Sequence, residues 1–259
     1  MQTKPYRWRL SPGFVAHLWK ATTQQNHRVL MPLFSRCLRR DGVVFDVGAH
    51  AGQFTKLFAR YVPEGQVYAI EPASYARAIL RFVVWVRGLG NVAILPIALG
   101  AEPRLERLNI PIKDTGSIGF GLSHLGPPEP RWQRVATEIV AQTTIDELAA
   151  ALALDRLDFI KADIEGSEMR LLVGARQSIA RFRPRLLIEL SAAHLARAGD
   201  TPADAFAFLA ALGYAAFSVR PDGSLARVAS ASDGDFWFLP ADDPLIPVVT
   251  ETGEAGPPA

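Results

Sequence analysis

Val43-Val44-Phe45-Asp46-Val47-Gly48-Ala49-His50-Ala51-Gly52 decides how the rest of the chain is read. Four apolar residues flank one carboxylate, and a turn with two glycines follows. An apolar run this short, bounded by turn residues, predicts a buried parallel strand. Residues 53–61 then place Phe54, Leu57, Phe58 and Tyr61 on one helical face. The unit is therefore strand, tight turn and helix N-terminus, where backbone N–H groups and the helix dipole favour an anionic ligand group.

A dinucleotide fingerprint needs G-x-G-x-x-G, because its second glycine lets the backbone approach a pyrophosphate. Here that position is His50, and an acid within the strand, Asp46, is foreign to the fingerprint. The turn suits a ligand with no pyrophosphate, one carboxylate, and a cationic group for Asp46 to face. S-adenosylmethionine has that chemistry at its methionine end. The rival reading is an ordinary strand–helix turn that uses its glycines for geometry alone.

Two further strand ends carry acids. Residues 66–70 read as the next strand, ended by Glu71-Pro72. Glu71 lies 23 residues beyond Gly48, near the spacing of about 20 at which an acid takes a ribose diol. The third strand end is Lys161-Ala162-Asp163-Ile164-Glu165-Gly166-Ser167-Glu168, which leads into another helix.

With these three motifs in order, the chain resembles the FkbM-type S-adenosylmethionine-dependent methyltransferases. Their pattern joins a DVGAN-like turn, an FEP-like strand end and a K-x-D-x-E-G motif. The counterparts here are Asp46-Val47-Gly48-Ala49-His50, Ile70-Glu71-Pro72 and Lys161 to Gly166, within residues 41 to 190. His50 stands where the family usually has Asn. The resemblance implies a Rossmann-like α/β methyltransferase fold, with seven sheet strands, the last two antiparallel, and helices on both faces. It implies a methyl acceptor bearing a hydroxyl, on a sugar, glycolipid or natural product. The expected cofactor-binding set is Asp46, Gly48, His50, Gly52, Glu71, Pro72 and Asp163.

Composition bounds the alternatives. A chain of 259 residues, 49% apolar, can bury one sizeable core. No apolar run approaches the roughly 18 residues of a membrane span, and no secretory leader is visible. Cys37 is the lone cysteine, so neither an intramolecular disulfide nor a thiolate metal cluster can form, and a cytoplasmic location is expected. Residues 1–40 hold eight basic side chains and no acid, which leaves 20 basic and 26 acidic side chains for the rest. Such a start suits peripheral contact with an anionic membrane or substrate, or a helical extension lying on an acidic domain; it also has the composition of a transit peptide. The expected organisation is an extension over residues 1–40, a methyltransferase domain over 41–240 and a mobile tail over 241–259. No basic, aromatic-interleaved face marks a nucleic-acid binder.

Pattern reading predicts helices over 14–22, 26–39, 53–61, 74–87, 144–154, 167–182 and 202–212. Strands are expected over 43–47, 67–70, 92–97, 105–111, 135–142, 159–162, 186–190, 214–219 and 236–239. Thr144 and Glu147 form an expected capping box. The long stretch between the strands 105–111 and 135–142 reads as a substrate-facing loop over the strand ends, with disorder as its rival.

Methyl transfer to a hydroxyl needs near-attack alignment and a proton acceptor. Glu165 is the first candidate for that acceptor, with Asp163 turned to the methionine end; His50, His124 and His194 are the others. A Mg²⁺ site on Asp163, Glu189 and His194 is declined, since no dense ligand cluster supports it. Other classes stay open: a nicotinamide-dependent oxidoreductase, or a non-catalytic binding protein on the same fold.

Overall fold

The computed structural model describes residues 12–112, 119, 122–126 and 132–246. The expected tail lies outside them from residue 247 onward, as does the start of the extension and part of the loop after residue 112.

The glycine turn follows β1 (Val43–Val47) and opens α3 (Gln53–Tyr61). Alternation in β1 is what buries it on both faces: Phe45 and Val47 join one hydrophobic cluster, Val44 the opposite one. Parallel strands β2 (Gln66–Ile70) and β3 (Val92–Leu95) extend the sheet on one side, with α4 (Ser74–Val86) between them. On the other side lie parallel β8 (Phe159–Ala162) and β9 (Arg185–Leu190). Antiparallel β12 (Gly234–Pro240) and β10 (Tyr214–Val219) follow, and short β11 (Leu225–Arg227) closes that edge. The order β11-β10-β12-β9-β8-β1-β2-β3 makes eight strands, where seven were expected. The extra one arises because residues after the Pro221–Gly223 turn pair back on β10.

Helices cover both faces. On one, α2 (Met31–Cys37) and α3 bury Phe34, Leu57 and Phe58 against Phe159 and Trp237. The other holds α5 (Ile145–Ala151), α6 (Glu168–Val173), α7 (Arg176–Phe182) and α9 (Pro202–Ala211). A single turn, α8 (Ala192–Leu195), follows β9. Helix α1 (Pro12–Thr23) packs outside α4 through Phe14 and Ala21 against Tyr75, Ile79 and Val83. The segment 79–86, apolar and β-branched as it is, belongs to α4, because one side reaches the sheet through Leu80 and another reaches α1.

Boundaries differ from the sequence reading in several places; the helix expected over 26–39, for one, is a 3-10 turn at Arg28–Leu30 followed by α2, and the strand expected over 92–97 ends at Leu95. The helix expected over 167–182 is broken at Gly174, where an added Cβ would lie 2.1 Å from the Gly100 carbonyl oxygen. The Thr144 cap receives the Glu147 N–H, but the Glu147 carboxylate turns to the Thr143 hydroxyl, so the reciprocal half of the box is absent. The strands expected over 105–111 and 135–142 pair antiparallel as β5 (Arg104–Ile112) and β7 (Arg134–Thr143), and β4 (Ala98–Leu99) and β6 (His124–Leu125), which were not expected, complete a second sheet of order β4-β7-β5-β6. Leu108, Ile110 and Val140 seat it on Ala73 and Ala76 at the start of α4.

Candidate active site

Chain order reverses beside β1, with β2 to one side and β8 to the other, and open α/β sheets bind ligands at such a crevice. A cavity of about 310 Å³ lies there, between the carboxyl ends of β1, β2 and β8, the start of α4 and the second sheet. Gly48, His50, Glu71, Pro72, Asp163 and Glu165 line it, as does His124; Asp46 and Gly52 do not.

The turn is held by its own backbone. The Gly48 and Ala49 N–H groups both donate to the Ile70 carbonyl at 3.0 Å, and Gly52 N–H donates to Ala49 at 2.8 Å. The His50 N–H donates to Glu71 Oε2 at 2.8 Å. An anionic ligand group must therefore be met by the first-turn amides of α3 rather than by these four donors. Gly48 has φ +72°, and a Cβ on it would lie 1.9 Å from the Asp163 carbonyl oxygen. Its lack of a side chain thus lets β1 and β8 end side by side. Gly52, expected to meet the ligand, instead caps α3 at φ +83° and packs beside Leu80. Burial pushes the His50 imidazole down to about 4, so it is neutral near pH 7 and a weak base.

Asp46, expected to face a cationic ligand group, is wholly buried beneath the cavity. Its Oδ2 accepts the Thr55 hydroxyl at 2.5 Å, and its Oδ1 stands 4.0 Å from Lys161 Nζ. The physical reason is alternation: in β1 an inward carboxylate one residue short of the strand end points into the layer occupied by α3. Lys161 is the side chain whose role the sequence reading missed. Its buried ammonium reaches the Gly48 carbonyl at 3.1 Å and Asp163 Oδ2 at 3.4 Å. Burial works to lower the Lys161 pKa, but Asp163 and Asp46 outweigh it and hold it above its ordinary value. Asp163 feels the converse: burial raises its pKa, and the Lys161 charge, together with hydrogen bonds to Glu189 and Lys161, more than offsets that. The signal available in the sequence was period two, since Lys161 and Asp163 share a strand face.

Glu71 is almost fully buried, and its two oxygens accept the His50 and Ala73 N–H groups at 2.8 Å each. Burial raises its carboxyl to about 7 against those hydrogen bonds. Each oxygen keeps a further lone pair, so the group can still accept from a ligand diol. The Pro72 carbonyl accepts from Arg77, which fixes the corner where β2 leaves the sheet.

The two acids of the third motif diverge. Glu165 has φ +55° and Gly166 φ +100°, and the Glu165 carboxylate meets His194 Nδ1 of α8 at 2.9 Å. Gly166 is required here, because a Cβ on it would strike the His194 backbone. The turn-stabilising acid is Glu168, whose Oε1 accepts the N–H groups of Ile164 and Gly166. Asp163 shares a hydrogen bond with Glu189 instead, which together with burial raises the Glu189 pKa. Asp163 and Glu189 thus meet each other, and His194 is engaged elsewhere. His124 is buried on β6 at the far wall of the cavity. Three-dimensional contact alone joins Glu165 to His194, 29 residues apart.

The sequence model of the methyltransferase FkbM domain matches residues 46–216. The chain belongs to this family. Its members are S-adenosylmethionine-dependent methyltransferases. The 2-O-methyltransferase NoeI of Sinorhizobium fredii is 23% identical over 168 residues, which cover 61% of this chain and 65% of that protein. The match spans less than two thirds of that relative's own length. Among solved structures, the methyltransferase FkbM of Methylobacillus flagellatus shares the fold with a TM-score of 0.50 at 15% identity. That likeness covers 86% of this chain and 58% of the other. A weaker likeness, with a TM-score of 0.48 at 11% identity, links it to an O-methyltransferase of Bacillus cereus in complex with SAH, over 89% and 91% of the two chains. The residues around the cavity suit the family's cofactor. Two carboxylates, Glu71 and Asp163, stand apart on its wall for a diol and an ammonium, and Ile97, Leu99 and Ile110 offer apolar surface for a base.

Proposed function

We propose that this chain is an S-adenosylmethionine-dependent O-methyltransferase acting on a hydroxyl of a sugar, glycolipid or natural product. The observation that carries the reading is Glu165, which lines the cavity beside Asp163 and whose carboxylate holds His194 Nδ1 at 2.9 Å from behind the wall. An imidazole held by a carboxylate is a competent proton acceptor for an alcohol. Bound S-adenosylmethionine supplies the electrophilic methyl group. Glu71 accepts the ribose hydroxyls, and Asp163 attracts the methionine ammonium while Lys161 keeps it ionised. Asp46 and Thr55 brace Lys161 from below. Glu165 with His194 orients the acceptor hydroxyl and takes its proton; His50, neutral and weakly basic, serves as wall. The 2-O-methyltransferase named among the relatives supports an oxygen acceptor. The lone cysteine, a buried thiol pushed up to about 12 by burial, suits a reducing cytoplasm.

Calorimetry with S-adenosylhomocysteine and with NAD tests the cofactor, and a screen of sugar and glycolipid alcohols with labelled methyl donor tests the reaction. Binding of S-adenosylhomocysteine and label on an acceptor oxygen are expected. Heat with NAD and none with S-adenosylhomocysteine would overturn the reading in favour of a nicotinamide enzyme. Cofactor binding with no labelled product from any acceptor class would leave a binding protein in its place.

A further inference from the structure

The α1–α4 pair is sealed on its inner side by Phe14, Tyr75, Ile79 and Val83. Its outer sides are apolar as well. Trp85 is 74% exposed, Trp19 69% and Val15 57%, and Phe82 and Val86 also face out. The spacing is helical: Val15 and Trp19 are four apart, and Phe82, Trp85 and Val86 are three and four apart, so each set shares a face. Phe82 and Trp85 stand ring by ring, 5.7 Å between centroids. Single exposed apolar residues are ordinary, but two neighbouring helices each presenting a bulky aromatic surface mark a contact site.

Charge on these helices has one sign. Neither α1 nor α4 contains an Asp or Glu. Lys20 on α1 and Arg81 on α4 are exposed, and so is Arg87, whose guanidinium also takes the Thr22 carbonyl at the end of α1. A second copy of this chain, docked by a two-fold axis, would bring the same cations face to face. An anionic bilayer offers the opposite charge to all of them.

We propose that the outer face of α1 and α4 docks on an anionic membrane surface. Tryptophan suits this position, since its ring sits at headgroup depth with the N–H toward water. Lys20, Arg81 and Arg87 meet the acidic headgroups. Among the described residues no helix is long and apolar enough to cross a membrane, so the contact is interfacial. Tyr75 at the start of α4 lines the cavity. Trp85, ten residues on, is about 15 Å further along the helix. The docked face thus runs along the helix whose other end forms part of the cavity wall. The docking stands apart from the chemistry at Glu165 and can hold or fail independently of it.

The full-length chain is sedimented with vesicles of equal parts phosphatidylglycerol and phosphatidylcholine, and with vesicles of phosphatidylcholine alone. Binding is expected on the anionic vesicles, at least about tenfold stronger than on the neutral ones, and falling as salt rises. The double variant Trp19→Ala, Trp85→Ala loses at least about tenfold in partitioning, because bulky apolar rings leave the interface. The double variant Lys20→Glu, Arg81→Glu loses as much. All four side chains are exposed, so circular dichroism and S-adenosylhomocysteine binding should match the parent. Equal sedimentation on the two vesicle types, or parent-like binding by both variants, overturns the proposal. So does a dimer in analytical ultracentrifugation that Trp85→Ala dissociates while vesicle binding is absent; that outcome assigns the face to a second copy.

Discussion

At the scale of single residues, the site rests on carboxylates whose surroundings set their charge. Glu71 is the clearest, with burial raising it to about 7 from an ordinary 4.5. Between those values the folded protein keeps a proton that the unfolded chain has released. The contribution of Glu71 to stability is therefore complete below about 4.5 and is lost as pH rises through about 7. Urea midpoints of the parent should fall relative to those of Glu71→Gln across that window. Ribose hydroxyls donate to the ionised form, so cofactor affinity of the parent should rise from pH 6 to 8, and the Gln variant should show no such rise. Each hydrogen bond to a charged group contributes about 1.5–3 kcal/mol, so Glu71→Gln should weaken S-adenosylhomocysteine binding at least about tenfold at pH 8. An unchanged dissociation constant in a folded variant would place Glu71 outside the ribose site. Glu165 and His194 make a second test. Glu165→Gln and His194→Ala should each lower turnover by about 10²-fold or more, the usual size of a general-base effect, with cofactor affinity nearly intact. Asp163→Asn should do the reverse and damage binding first. If Glu165→Gln turns over at the parent rate, the proton acceptor lies elsewhere, and His124 is next in line on the cavity wall.

At the scale of elements, the seating of α1 on α4 depends on how its last turn is satisfied. A helix ends with carbonyls that have no partner within it. Lys56 on α3 donates to the Ala21 and Gln24 carbonyls at 2.6 and 2.7 Å, and Arg87 takes Thr22. Positive charge at a helix C-terminus also suits its dipole. Burial lowers the Lys56 ammonium to about 8, so the unfolded chain binds its proton more readily, and this contribution to stability grows as pH rises from about 8 toward 10. Lys56→Met keeps the aliphatic stem and removes the donors. Amide hydrogen exchange over residues 12–23 should then accelerate by about tenfold or more, given the worth of a charged hydrogen bond, while amides of β1 and β8 stay protected. Uniform acceleration across the sheet would show that Lys56 supports the whole fold rather than the docking of α1.

At the scale of the whole molecule, the first forty residues divide in two. Helix α1 touches the domain through Phe14 and Ala21, whereas α2 drives Phe34 into the core between α3 and the sheet. Phe34 is fully buried, with rings of Phe54, Phe58, Phe159 and Trp237 around it, the nearest centroid 5.2 Å away. Removing residues 1–24 should leave a folded domain with Ile79 and Val83 newly wetted, and so a lower Tm and weaker cofactor binding. Removing residues 1–40 should abolish cooperative unfolding, since Phe34→Ala alone is expected to cost about 3–5 kcal/mol, a large part of a typical folding free energy. A soluble 41–259 fragment that melts like the parent would refute this division and make the whole segment an appendage.

What could be read from residue order alone is what depends on neighbours. The strand–turn–helix unit at 43–61, the acid-tipped strand ends at Glu71 and Asp163, and the Pro202 helix start are all local pattern: period two, period 3.6, and turn chemistry. The Thr201–Asp204 box, not singled out from the sequence, is local in the same sense, since both halves close within four residues. Contacts set by packing were not legible. Whether Asp46 faced a ligand or Lys161 depended on which layer its strand face met, and only the seating of α3 decided that. The break at Gly174 comes from Gly100, the return of residues 225–227 onto β10 adds an eighth strand, and Glu165 meets His194 through a turn at Gly166. In each case the partner is distant in sequence, and no local preference records a contact that exists only once the sheet has closed and its two faces are covered.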